Sequence, residues 1–93
     1  MAHYTTRVEL HNAREADYKT LQAEMEELGF TRTVVGHDGA NYQLPAGEFN
    51  YEGEIPIDTV FDKARYAAET TDLEYEILVS EAVKRKWHGL RKL

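Results

Sequence analysis

"FTRTVVGHDGANYQLPAGEFNYEG", residues 30–53, decides how many strands this chain gives to its core layer. The β-branched residues of "FTRTVV" read as a strand. Asp38-Gly39 follows as a hairpin signal, because such a turn needs residues that accept positive φ. "NYQL" resumes extended structure, and Pro45-Ala46-Gly47 breaks it. "EFNYEG" then alternates, with Phe49 and Tyr51 on one face and Glu48, Asn50 and Glu52 on the other. This spacing predicts a long hairpin with a bulge or excursion near Pro45.

Upstream, "HYTTRVEL" also alternates. Tyr4, Thr6, Val8 and Leu10 face one way, and Thr5, Arg7 and Glu9 the other, as in a half-buried strand. "NARE" follows, with Asn12 as N-cap and Glu15 completing a capping-box pattern. Tyr18, Leu21, Met25 and Leu28 then form the apolar stripe of a helix that stops at Gly29. Downstream, "IPIDTVFDKARYAAETT" reads as a second helix entered through Pro56. Its apolar stripe comprises Ile57, Val60, Phe61, Ala64, Ala67 and Ala68, and the alanines predict close approach to a sheet. "LEYEILVS" is a last strand with Tyr75, Ile77 and Val79 inward.

The order is β-α-β-β-α-β. The expected fold is α+β and ferredoxin-like: a four-stranded antiparallel sheet with two helices on one face. Residues 1–83 make the domain, and residues 84–93 a basic C-terminal tail. After the last strand, Val83, Trp87 and Leu90 have helical spacing, while Gly89 and the charge density favour an extended segment.

Charge is divided unevenly. Seventeen Asp and Glu face eleven Lys and Arg, for a net charge of −6. Residues 1–83 hold all the acids and six of the basic residues, a net of −11, whereas residues 84–93 hold five basic residues and no acid, a net of +5. The body repels nucleic acid at long range and the tail attracts it. There is no cysteine, so disulfides, thiolate nucleophiles and Cys-based zinc sites are excluded. The N-terminus has no basic region followed by an apolar one, and no apolar run is long enough to span a membrane. A cytoplasmic location without membrane association is the expectation.

The sequence carries no dinucleotide fingerprint, P-loop, nucleophile elbow or H-E-x-x-H motif. No cofactor is implied. His3, His11, His37 and His88 include no helical i, i+4 pair, and no metal site is expected. His37-Asp38 has the form of a base with its orienting group, but sits at a predicted hairpin tip, where the chemistry of a turn is the simpler account. The sheet face away from the helices would show Thr5, Arg7, Glu9, Glu48, Asn50, Glu52, Glu76, Leu78 and Ser80. It has no aromatic residue, which disfavours base stacking there. The tail is different. Lys84, Arg85 and Lys86 precede Trp87, and Arg91 follows, a pattern that holds phosphates while a ring stacks on a base or packs on protein.

The stretches "MEELGFTRTVV", "DGANYQLPAGEF" and "EIPIDTVFDKA" resemble the small antitoxins of type V toxin–antitoxin systems, the GhoS-like family. Residue-level similarity is concentrated between Met25 and Ala64. The resemblance implies a ferredoxin-like fold shared with a CRISPR-associated nuclease family. It also implies RNA binding or endoribonuclease activity. Phe49 falls on an aromatic position of that family. Where the family carries arginines on its first helix, this chain has Lys19, Gln22, Glu24 and Glu26, so no catalytic residue is carried over. The residues expected to touch RNA or a partner are Arg7, Arg32, Phe49, Lys84, Arg85, Lys86, Trp87 and Arg91. Two further readings stand beside this one. The first is a non-enzymatic interaction module, homodimeric, with the basic tail of one copy on the acidic body of the other. The second is an acidic inhibitor of a nucleic-acid-binding enzyme, of the kind phages encode.

Overall fold

The structure, a computed structural model, describes Met1–Leu93. Its elements run β1 (His3–Leu10), α1 (Glu15–Glu27), β2 (Thr33–Val35), β3 (Asn41–Gln43), β4 (Glu48–Glu52), α2 (Ile57–Glu69), β5 (Tyr75–Glu81) and β6 (Arg91–Lys92). The alternation of β1 is realised: Tyr4, Thr6, Val8 and Leu10 are buried, and Arg7 and Glu9 are exposed. Leu21 and Met25 of α1, and Val60, Ala64, Ala67 and Ala68 of α2, close over the buried side of β1 together with Phe30 and Phe49. The three alanines are fully buried, so α2 lies close to the sheet as their small size predicts. Ile57 and Phe61 belong to the expected apolar stripe of α2, yet both remain more than a third exposed.

Two helix ends show how local sequence sets the path. α1 does not start at Asn12. Asn12 takes φ of +53°, a left-handed turn that asparagine tolerates better than most residues. The helix starts later, where the Arg14 N–H donates to Asp17 Oδ2 at 2.8 Å. Its C-terminus is a Schellman turn. Gly29 N–H donates to the Glu26 carbonyl at 3.0 Å, and Phe30 N–H to the Met25 carbonyl at 3.1 Å. Gly29 has φ of +98°, a value that penalises any Cβ.

The strands form two three-stranded antiparallel sheets, ordered β4-β1-β5 and β2-β3-β6, in place of the single four-stranded sheet expected. The departure begins after Thr31. Thr31 and Asn50 exchange both backbone hydrogen bonds at 2.8 Å, which is the register of a fourth strand beside β4. β2 then pairs with β3 instead, with Val34 opposite Tyr42. Residues 45–47 turn the chain away between β3 and β4, where the expected excursion lies, and the Glu48 N–H closes the turn on the Pro45 carbonyl at 3.0 Å. The third strand of the second sheet comes from the tail: β6 pairs with β3, Tyr42 opposite Lys92 and Gln43 opposite Arg91. The tail is thus extended rather than helical.

Gly47 extends the β1–β4 ladder by one pair, opposite Val8. Its carbonyl accepts from Val8 N–H at 2.8 Å, and a Cβ at Gly47 would collide with the Val8 carbonyl oxygen. Backbone atoms cannot swing aside as a side chain can. Gly47→Ala should therefore destabilise the protein by about 1–3 kcal/mol, read as a lowered urea midpoint at unchanged slope.

Candidate functional site

Residues 82–90 leave β5, cross toward the β2–β3 hairpin, and enclose a broad open groove of about 1210 Å³. His3 of β1, residues 35–38 of the hairpin and Tyr42 of β3 form its other walls. Arg85 fixes the crossing. Its Nη1 donates to Asn50 Oδ1 at 2.7 Å and to Thr5 Oγ1 at 3.3 Å, on the helix-free face of the first sheet. Asn50, expected to face outward, is for this reason only 6% exposed. A buried amide without a partner would be costly, so the guanidinium and Asn50 stabilise one another. The Asn50 Nδ2 donates in turn to Thr31 Oγ1 at 3.3 Å.

Trp87 packs on Tyr42 with ring centroids 5.6 Å apart and planes at 55°. The indole anchors the tail, but on the second sheet rather than on the main core. It is half-buried and lines the groove. Lys84, Lys86 and His88 are exposed along the same groove. His37 also lines it, so three of the four histidines border the groove: His3, His37 and His88.

Asp38 closes the second sheet. Its Oδ1 accepts the Ala40 N–H at 3.0 Å, its Oδ2 accepts the Tyr42 hydroxyl at 2.7 Å, and Lys92 Nζ lies 3.3 Å from Oδ2. The Tyr42 hydroxyl first, and then the Ala40 amide, hold the Asp38 carboxyl down at about 2. The same hydrogen bond raises the Tyr42 phenol above its ordinary value. Asp38 is therefore engaged by the turn and by β6, and does not orient His37 as a base.

The remaining sequence-selected residues are dispersed. Arg7 is exposed on the helix-free face and pairs with Glu9 at 2.9 Å. Arg32 donates from Nη2 to the Leu44 carbonyl at 3.2 Å, bracing the β2–β3 connection. Lys19 pairs with Glu15 along α1 at 3.7 Å. Phe49 is fully buried and meets Phe30 edge-on at 6.3 Å, so it is a core residue and reaches no ligand. Arg91 is exposed on β6. Lys84, Lys86 and Trp87 are brought together at the groove, while Arg85 beneath them is structural. Sequence reasoning missed Tyr42, His3 and Asn50 as neighbours of the tail. Nothing in their local pattern marks a partner that lies 35 or more positions away.

At the far end of β1, Glu9, His11 and Glu76 each offer a ligand atom within 4.8 Å of the others. His11 Nε2 lies 2.7 Å from Glu76 Oε2, and Arg7 engages Glu9, so each carboxylate already has a partner. No helix is long and apolar enough to cross a membrane. No family model matches the chain, and no curated protein does.

A depressed carboxyl has a defined acid signature. Because the folded Asp38 titrates near 2 and its ordinary value is 3.8, its contribution to stability is present above about pH 4. It is lost as pH falls through the interval down to about 2. Asp38→Asn should lower stability at neutral pH and shrink its fall across that interval, measured as urea midpoints against pH.

Proposed function

We propose that the protein binds single-stranded RNA along the groove between the tail and the β2–β3 hairpin. The carrying observation is the placement of exposed Lys84 and Lys86 beside the half-buried Trp87 in an otherwise acidic chain. The lysines would hold successive phosphates, and the indole would offer its free face to a base. The acidic body would keep other stretches of the backbone off the protein and confine binding to this strip. Exposed Arg91 adds a further cation on β6.

The resemblance to the GhoS-like antitoxins supports RNA over DNA and a ferredoxin-like ancestry. The Thr31–Asn50 pair is compatible with that ancestry. It stands where a fourth strand would lie, beside β4 in the order β4-β1-β5. On this reading, β2 is a sheet strand that has left its place to build the groove. Phosphodiester cleavage is a further property of the same reading, and the three groove histidines are the groups to examine for it.

Trp87 is the sole tryptophan, so its emission reports on the groove directly. Titration with a single-stranded RNA should quench it, with an affinity that falls as salt rises. The double variant Lys84→Ala/Lys86→Ala should lower the slope of log K against log salt by about 1.4, from roughly 0.7 for each phosphate no longer neutralised. RNA that leaves Trp87 emission and its own anisotropy unchanged at low salt would falsify the proposal. Intact RNA after long incubation would confine the function to binding.

A further inference from the structure

β5 is an edge strand. β1 occupies one side of it, and no strand occupies the other. The tail does not cover the open side, because Arg85 draws it across β1 and β4, away from β5. Several devices that normally protect an edge are missing, although Glu76 and Glu81 remain as charges on the strand. The strand "YEILVSE" runs seven residues with no proline, no lysine and no break in its register with β1.

The hydrogen-bond register fixes which groups are free. His11 N–H donates to the Glu74 carbonyl, and Ala82 N–H donates to the His3 carbonyl, both at 2.8 Å. In an antiparallel ladder such pairs recur at every second residue. Glu76, Leu78 and Ser80 therefore also bond to β1. Tyr75, Ile77, Val79 and Glu81 direct their N–H and C=O groups outward.

We infer that this edge pairs with the same edge of a second copy, antiparallel, about a two-fold axis at Leu78. In that register Ile77 and Val79 bond with Val79 and Ile77 of the second copy, and Tyr75 and Glu81 with Glu81 and Tyr75. About eight inter-chain hydrogen bonds form from groups that otherwise face water. The side chains agree with the backbone. Glu76 faces Ser80, Glu74 faces Ala82 and Glu81 faces Tyr75, so no carboxylate lies opposite another. An axis at Glu76 or Glu81 would place like charges in contact, which is unfavourable. The choice of Leu78 also covers an apolar side chain that is 64% exposed in the single chain. At the axis, Leu78 meets its own copy in a non-hydrogen-bonded pair, where Cα atoms approach to about 4.5 Å. The product is a continuous six-stranded sheet with helices on one face, and each RNA groove meets the junction only at its Ala82 end. This inference is independent of the RNA reading.

The absence of cysteine makes the register testable by single-cysteine variants. Leu78→Cys should form a disulfide-linked dimer under oxidised glutathione at least about tenfold faster than Ser80→Cys, because Cα atoms at the axis lie within disulfide range. Sedimentation equilibrium of the unmodified chain at roughly 100 μM should give twice the chain mass, as for a small interface of modest affinity. Val79→Pro removes an outward N–H while leaving the β1 ladder intact. It should return the chain mass, with its folded state confirmed by circular dichroism. A monomer of the unmodified chain at that concentration would sink the inference. So would a folded Val79→Pro dimer, or crosslinking of Ser80→Cys at the rate of Leu78→Cys. If Val79→Pro does not fold, the ratio of the two cysteine rates decides alone.

Discussion

β1 is the one strand of the first sheet with hydrogen-bonded neighbours on both sides, and that constraint orders the whole molecule. Its register with β4 and β5 is fixed over most of its length. A slip of one residue would turn Tyr4, Val8 and Leu10 away from the helices and bury Arg7 and Glu9. The helix side supplies the core. The other side carries Thr5, which receives Arg85, so the position of the tail is set by the same alternation that builds the core. Packing and candidate function are two faces of one strand.

The basic tail of an acidic chain is not a loose appendage. It is fixed at three levels: Arg85 on the first sheet, Trp87 on Tyr42, and β6 on β3. These contacts are made within one chain, so docking of the tail needs no second copy. They also divide the cations by task. Arg85 and Lys92 are engaged by protein acceptors, and Lys84 and Lys86 are left along the groove. The guanidinium suits the structural role, because it can reach Asn50 and Thr5 from a single nitrogen while keeping its charge.

Period-two alternation in β1 and β5, the helical stripe through Leu21 and Met25, the buried alanines and the Asp38-Gly39 turn were all legible in the chain itself. Each depends on neighbours within a few residues. The number and membership of the sheets were not legible. β2 leaves β4 for β3 after Thr31, the second sheet takes its third strand from the far end of the chain, and β6 is too short to show any period of its own. The burial of Asn50 escaped for the same reason, since a polar residue on the outward face is covered here by Arg85, 35 positions later. The Lys84, Lys86 and Trp87 cluster was readable as composition, but its opposing wall at Tyr42 was not. Phe49 was placed on the correct face, and that face is the core, which removes it from ligand contact.

The pairing of β6 with β3 also orders assembly in time. Before the first sheet exists, bringing Lys92 to Tyr42 closes a loop of about fifty residues. Once β5 is in place, only the short span after Ala82 remains to be closed, and the entropic barrier falls by roughly 1.5 kcal/mol. Closing the second sheet is therefore easier once the first has formed.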